Sequence, residues 1–428
     1  MDSLPADKAF QCADRNEIFK DGILSVLLLR HPDFSAVKES FLSHKTSLHF
    51  RSQEKSGYCW LLAALNCVTA FVQKKYDADD ILFSKNYLIF FDKLEKANWF
   101  LENVLSLLDA DKNDRSLRFL LRRAMSDRGQ WNMARNLIAK YGLVIGEIAD
   151  ECIASTRTGE LNACLSMILR NDAAHLRLLY AKGAPLQEIR NEKAHMLNEM
   201  CDSLLACFGS MPQETAVPEQ FPVFAVRRAM SPAQFYLQCV QFPFEEYVSV
   251  YNDGKDDARL YHYDRIALDG NVIGGVPNAF LHLTEDIFYS AVCKQVEEDG
   301  FCWCACDTGK FAFSQEGVFD DTIFRFEKFA SLKNAPIPKA TINQYFLASM
   351  THSVTLINRV ATSDGYWWQA MDSAPASEAN GGLCYFSDGW FSRYVFQAVV
   401  AKKHLLLPPD KQKPCDVMPW DFFGMSEI

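Results

Sequence analysis

The chain has 428 residues, of which 49% are hydrophobic, 13% aromatic and 23% charged, with a formal net charge of −10. That length allows one large domain with insertions or two to three domains, and the composition excludes wholesale disorder. The acidic balance speaks against broad binding to a phosphate backbone, and nowhere is an apolar run long enough to mark a membrane span.

Residues 1 to about 50 alternate polar and apolar patches and predict a surface-wrapping lead-in with short helices. The most informative stretch follows: Gln53, then Ser56-Gly57-Tyr58-Cys59-Trp60, leading into the apolar run Leu61-Leu62-Ala63-Ala64-Leu65. Apolar residues on nearly every face predict a buried helix from Cys59 to about Tyr76. A helix N-terminus carries partial positive charge and open N–H groups, which bias a cysteine there toward the thiolate. Gln53 can offer a side-chain N–H to the oxyanion formed in acyl transfer. The pattern suggests a cysteine hydrolase.

From Ile81 to about Cys207 the spacing is mainly helical, and Gly209, Pro212, Pro218 and Pro222 then break it. Downstream segments are short, aromatic-rich and β-leaning. Cys302-Trp303-Cys304-Ala305-Cys306 alternates at period two, and Val354 to Val360 is strongly β-forming. Asp388 is a candidate N-cap for a short helix reaching about Val395. The proline-interrupted stretch from Leu407 to Ile428 predicts an extended arm. The whole is expected to be α+β.

Fourteen cysteines are scattered along the chain, and the first residues lack a basic-then-apolar leader. Mostly buried, reduced thiols and a cytoplasmic setting are the expectation. Cys302, Cys304 and Cys306 lack the spacing of a zinc knuckle and are expected on a buried strand face, so no metal is assigned. Gly274-Gly275 does not make a phosphate cradle. No cofactor is expected.

Cys59 needs a base, and nine histidines are available. Eight of them, His282 and His404 included, mostly stand in polar or charged contexts that suggest surface imidazoles. His352 opens an apolar strand, where a base can be held rigidly at a cleft edge. Asp372 lies beyond a hairpin turn at Thr362-Ser363-Asp364-Gly365, which would return it toward His352 to orient the ring. Trp367 and Trp368 would shield that contact from water.

Together these residues resemble the bleomycin hydrolase / aminopeptidase C branch of the papain-like cysteine peptidases. Gln53, Ser56, Gly57, Cys59 and Trp60 stand as in its cysteine block, Met350-Thr351-His352 as in its histidine block, and Trp368 to Ser373 in place of its asparagine block. Gly129 to Met133, Asp307 to Lys310 and Trp390 to Val395 also look alike. His352 follows Cys59 by 293 positions, against about 130–150 in simple papain-like chains. The excess corresponds to a helical insertion at 81–207.

The resemblance implies a papain-like fold with 1–80 as lead-in and catalytic helix, 81–207 inserted, 208–414 as the β-rich part and 415–428 as a C-terminal arm in the cleft. It implies Cys59 as nucleophile, His352 as base, Asp372 as orienter, and Gln53 with the Cys59 N–H as oxyanion donors. Gly57, Trp60 and Ile428 are expected at the bound substrate. Activity would be release of N-terminal residues from peptides by a homohexamer; no membrane partner is expected, and the net charge of −10 speaks against a nucleic-acid partner. Asp372 replaces the family's asparagine and Ala374 its following tryptophan. A catalytically weak peptide-binding scaffold therefore stays open, as does an endopeptidase should the arm leave the cleft.

Overall fold

A computed structural model describes residues 27–28, 34–44, 46–146, 152–221, 228–255, 259–324, 337–405 and 414–420. Helix α1 (Cys59–Tyr76) is buried on almost every face, with Trp60, Leu61, Leu62, Ala64, Leu65, Cys67, Val68 and Val72 all in the core. It ends where Asp77 takes a left-handed conformation and returns its N–H to Gln73.

The predicted helical interval forms α2 (Lys85–Leu105), α3 (Arg115–Arg122), α4 (Trp131–Tyr141), α5 (Ile153–Thr156), α6 (Thr158–Ala181) and α7 (Leu186–Phe208). Ser84 and Asp114 cap α2 and α3 by accepting backbone N–H groups. Helix α2 is the hub, packing against α4, α6 and α7. It also buries four charged residues, Asp92, Lys93, Glu95 and Lys96, which lie among the apolar positions of the same helix.

The remainder is β-rich. Strands β1 (Thr215–Ala216) and β2 (Ala229–Met230) form a small ladder. The main sheet contains β3 (Tyr247–Tyr251), β4 (Tyr263–Ile266), β5 (Ala279–His282), β6 (Cys302–Cys306), β7 (Ala312–Phe313), β8 (Val318–Phe319), β9 (His352–Thr362), β10 (Gly365–Met371), β11 (Leu383–Ser387), β12 (Val395–Ala401) and β13 (Pro414–Val417). Their spatial order is β13-β4-β5-β3-β12-β6-β9-β10-β11-β8-β7, and most neighbours are antiparallel. Central β6 is fully buried, with Cys302, Cys304 and Cys306 in the core.

Two side chains pin α1 to the sheet. Trp303 Nε1 donates to the Trp60 carbonyl at 3.0 Å, and Thr355 Oγ1 donates to the Ala63 carbonyl at 3.0 Å. Both strand residues flank the helix start, so the sheet sets where Cys59 sits relative to His352.

Three expectations need correction. Helix Asp388–Tyr394, α8, is capped by Ser387, whose hydroxyl accepts the Trp390 N–H, and Asp388 is its first residue. His282 and His404 are buried, His282 stacking on Tyr251 at 5.0 Å and His404 pairing with Asp299 at 3.1 Å. Cys415 to Val417 belong to edge strand β13 alongside β4, locked by a bidentate Arg265–Asp416 pair. An arm can therefore begin no earlier than Met418. Ile428 lies outside the described residues.

Candidate active site

Cys59 is the first residue of α1, and its N-cap Tyr58 supplies no side-chain acceptor. The Leu61 and Leu62 N–H groups bond to the Tyr58 carbonyl, so Cys59 and Trp60 carry the first-turn N–H groups that no capping side chain takes. His352 is the first residue of β9, hydrogen-bonded in register to β6 opposite Cys306. The loop before it is held by Asp307, whose carboxylate accepts the Ser349 N–H at 3.0 Å and the Thr351 hydroxyl at 3.4 Å.

Asp372 follows the end of β10 and reaches His352 because the hairpin is irregular. Gln369 pairs with Asn358, but Ala370 pairs with Leu356, leaving Ile357 as an extra residue on β9. In the unshifted register Asp372 would face Thr355, on the opposite side of the sheet from His352. After the shift it extends the pairing toward Val354, on the His352 side. His352 Nε2 and Asp372 Oδ1 are 2.6 Å apart, and both side chains are buried.

The carboxylate is fully engaged. Oδ1 also accepts the Ala374 N–H at 2.9 Å, a local aspartate turn, and Oδ2 accepts the Ser377 hydroxyl. Burial pushes the Asp372 carboxyl up, but the His352 charge and these donors overcome it and hold it at about 2. Burial likewise disfavours the charged imidazole. Cys59 and Asp372 outweigh that and raise His352 well above its ordinary value. With Nε2 on Asp372, Nδ1 is the ring nitrogen left to face Cys59, whose charge contributes to raising His352. The arrangement is Cys59–His352–Asp372, with the imidazole between thiol and carboxylate.

Gln53 is tied to the same loop. Its N–H donates to the Ser373 carbonyl at 2.8 Å, and its Oε1 accepts the Ser373 hydroxyl at 3.0 Å. That leaves amide nitrogen Nε2 as the end available to a substrate oxygen. Gly57 borders the turn, and its N–H donates to Asp127 Oδ2 at 3.0 Å. Trp60, expected at the substrate, is completely buried, and its Nε1 donates to the Asp127 carbonyl at 2.7 Å. The expected aromatic shield is engaged elsewhere, with Trp368 stacked on Phe391 and Trp367 against Phe34. Burial of His352 and Asp372 does that work instead.

Sequence reasoning passed over Ser373, Ser377 and Asp127. Pro375 after Asp372-Ser373-Ala374 signals a turn there, but nothing in the spacing marks Asp127.

A buried thiol at a helix start, an imidazole on a facing strand and a carboxylate behind it, in an α+β frame, define a papain-like cysteine peptidase. The chain belongs to the Peptidase C1-like family, whose model matches residues 4–424. It is 30% identical over 418 residues to Aminopeptidase C of Lactococcus lactis subsp. lactis, covering 96% of this chain and 94% of that protein. Aminopeptidase C of Listeria monocytogenes is 29% identical over 95% of this chain and 92% of its own. Bleomycin hydrolase of Gallus gallus is 27% identical over 87% of this chain and 85% of its own. Among solved structures, PepW from Lactobacillus rhamnosis HN001 superposes with a TM-score of 0.82 at 28% identity, covering 98% of this chain and 95% of that one.

Proposed function

We propose that the protein is a cysteine aminopeptidase that removes N-terminal residues from peptides through an acyl-enzyme. The observation that carries this reading is buried His352 bonded to Asp372 at 2.6 Å and electrostatically coupled to Cys59. The Cys59 thiolate attacks the carbonyl carbon, and the resulting oxyanion takes hydrogen bonds from the Cys59 N–H and Gln53 Nε2. His352 gives its proton to the leaving amine as the C–N bond breaks, leaving a thioester. It then takes a proton from water, whose attack releases the acid and restores the thiolate.

The preference for a free N-terminus is assigned to the C-terminal arm. The described chain leaves the sheet edge after Val417 and reaches Trp420, whose ring lies 4.4 Å from the Arg115 guanidinium and 6.1 Å from Phe119. A homohexamer, a cytoplasmic setting and the boundaries 81–207 for the insertion belong to the same reading. The test compares N-terminally free and blocked fluorogenic peptides with the parent and Cys59→Ala. Turnover of free peptides alone, abolished in Cys59→Ala, is expected. Turnover retained in Cys59→Ala overturns the mechanism, and cleavage of blocked peptides makes the protein an endopeptidase.

A further inference from the structure

The turn carrying Cys59 is gripped by a carboxylate from the helical interval. Asp127, between α3 and α4, accepts the Gly57 N–H on Oδ2 at 3.0 Å and the Trp60 indole N–H on its own carbonyl at 2.7 Å. One residue thus holds both flanks of Tyr58-Cys59. Two glycines permit the approach: a Cβ on Gly57 would lie 2.9 Å from Asp127 Cβ, and one on Gly129 would lie 2.2 Å from the Trp60 ring.

Asp127 is itself held from the other side. Fully buried Lys93 of α2 donates to Oδ1 at 2.5 Å, Asn162 of α6 donates to Oδ1 at 2.8 Å, and the Thr158 hydroxyl donates to Oδ2. Burial opposes ionisation of this carboxyl, but Lys93 and the other donors hold it well below the usual range. An ionised acceptor grips a backbone N–H more tightly than a neutral one. Tyr58 is tied to the same helix, its hydroxyl donating to Asp92 at 2.9 Å. Asp127, Lys93, Thr158 and Asn162 take no part in the contacts among Cys59, His352, Asp372 and Gln53.

Resting on the peptidase reading above, we propose that Asp127 is a positioning residue for Cys59. Gly57 has no side chain, so its backbone is the available handle. By fixing the Ser56–Gly57 peptide group and the Trp60 ring on either side of Tyr58-Cys59, Asp127 sets the direction of the Cys59 N–H and of Sγ toward the substrate carbonyl. The helical interval then acts in the chemistry, through Lys93 and Asp127, as well as in the architecture.

The experiment measures kcat and KM on an N-terminally free fluorogenic substrate, per folded molecule, for full-length parent, Asp127→Ala and Asp127→Asn. It also follows Cys59 alkylation by iodoacetamide and thermal melting. Misplacing a reacting group by about 1 Å lowers rates about 10²-fold. Asp127→Ala should therefore lose about 10²-fold in kcat, with KM within about threefold. Asp127→Asn should regain at least about tenfold of that loss, because its amide oxygen accepts the same N–H. Both leave Lys93 without its counter-charge and should melt at similarly lowered temperatures, so activity parts from stability. An Asn variant no more active than Ala, or an Ala variant with parental kcat, overturns the proposal. Should Asp127→Ala fail to fold, Asp127→Glu replaces it, keeping the charge but moving the acceptor. Asn more active than Glu supports the proposal and the reverse overturns it. If the parent releases no residues while Cys59 alkylation still follows this order, the aminopeptidase reading fails and the positioning role stands.

Discussion

Asp372 concentrates the unusual chemistry of the candidate site in one side chain. An amide there would orient the His352 ring without adding charge, whereas the carboxylate also favours the imidazolium, and His352 is raised well above its ordinary value. Asp372→Asn should keep the Ala374 N–H on its single oxygen and reverse the Ser377 bond, the amide now donating to the hydroxyl, while removing that charge. The expected result is an alkaline limb of kcat/KM shifted to lower pH, read from the pH profile of peptide turnover or Cys59 alkylation. An unmoved limb would mean that Asp372 does not set the His352 protonation state. Ser377→Ala removes a donor from a buried carboxylate oxygen and should cost about 1–3 kcal/mol in urea unfolding.

At the scale of elements, the site depends on one extra residue in one strand. The shift at Ile357 turns Asp372 to the His352 side of the sheet, an effect of pairing parity. Helix α1 is aligned by its partners rather than by a cap, since Tyr58 offers no capping side chain while Trp303 and Thr355 bind carbonyls of its first turns. Trp303→Phe keeps most of the buried ring and removes the N–H. A loss of about 1 kcal/mol, with reduced kcat, is expected from denaturation and steady-state assays. Gly129→Ala drives a methyl into the Trp60 ring, where a Cβ would sit 2.2 Å away. It should destabilise by about 1–3 kcal/mol or more and lower activity, visible as a depressed melting temperature.

Across the whole molecule, the interface between the helical interval and the catalytic turn is built from buried charge as well as apolar surface. The Lys93–Asp127 and Lys96–Asp92 pairs lie at 2.5 Å and 2.7 Å, with both lysines and Asp92 buried. Breaking one partner is far more harmful than never having built the pair, so Lys93→Met should cost about 3–5 kcal/mol. Acid stability follows the same logic. Asp372 falls from an ordinary 3.8 to about 2 on folding, so it contributes about 2 kcal/mol above that ordinary value. This contribution is lost as pH falls toward 2. The raised His352 reports the same interaction from the other side, its share being complete below its ordinary value for as long as Asp372 stays ionised, and lost as pH rises through its folded value. Urea midpoints measured between pH 5 and pH 2 should fall less steeply for Asp372→Asn than for the parent.

The sequence by itself determined the elements whose signals are local. The buried helix beginning at Cys59, the helical interval expected to end at about Cys207 and found to end at Phe208, the strand beginning at His352 and the Thr362–Gly365 hairpin are legible because periodicity, glycines and prolines act on near neighbours. The same local reading singled out Cys59, His352, Asp372 and Gln53. It misjudged residues whose setting depends on distant chain: Trp60, His282 and His404 are buried, and Cys415 to Val417 close a sheet edge. The tertiary structure alone decided the Ile357 irregularity and the grip of Asp127, because strand register and backbone contacts between residues 57 and 127 leave no periodic trace. Side-chain identity announces chemistry, but the face on which that chemistry is presented is settled by pairing between segments far apart in the chain.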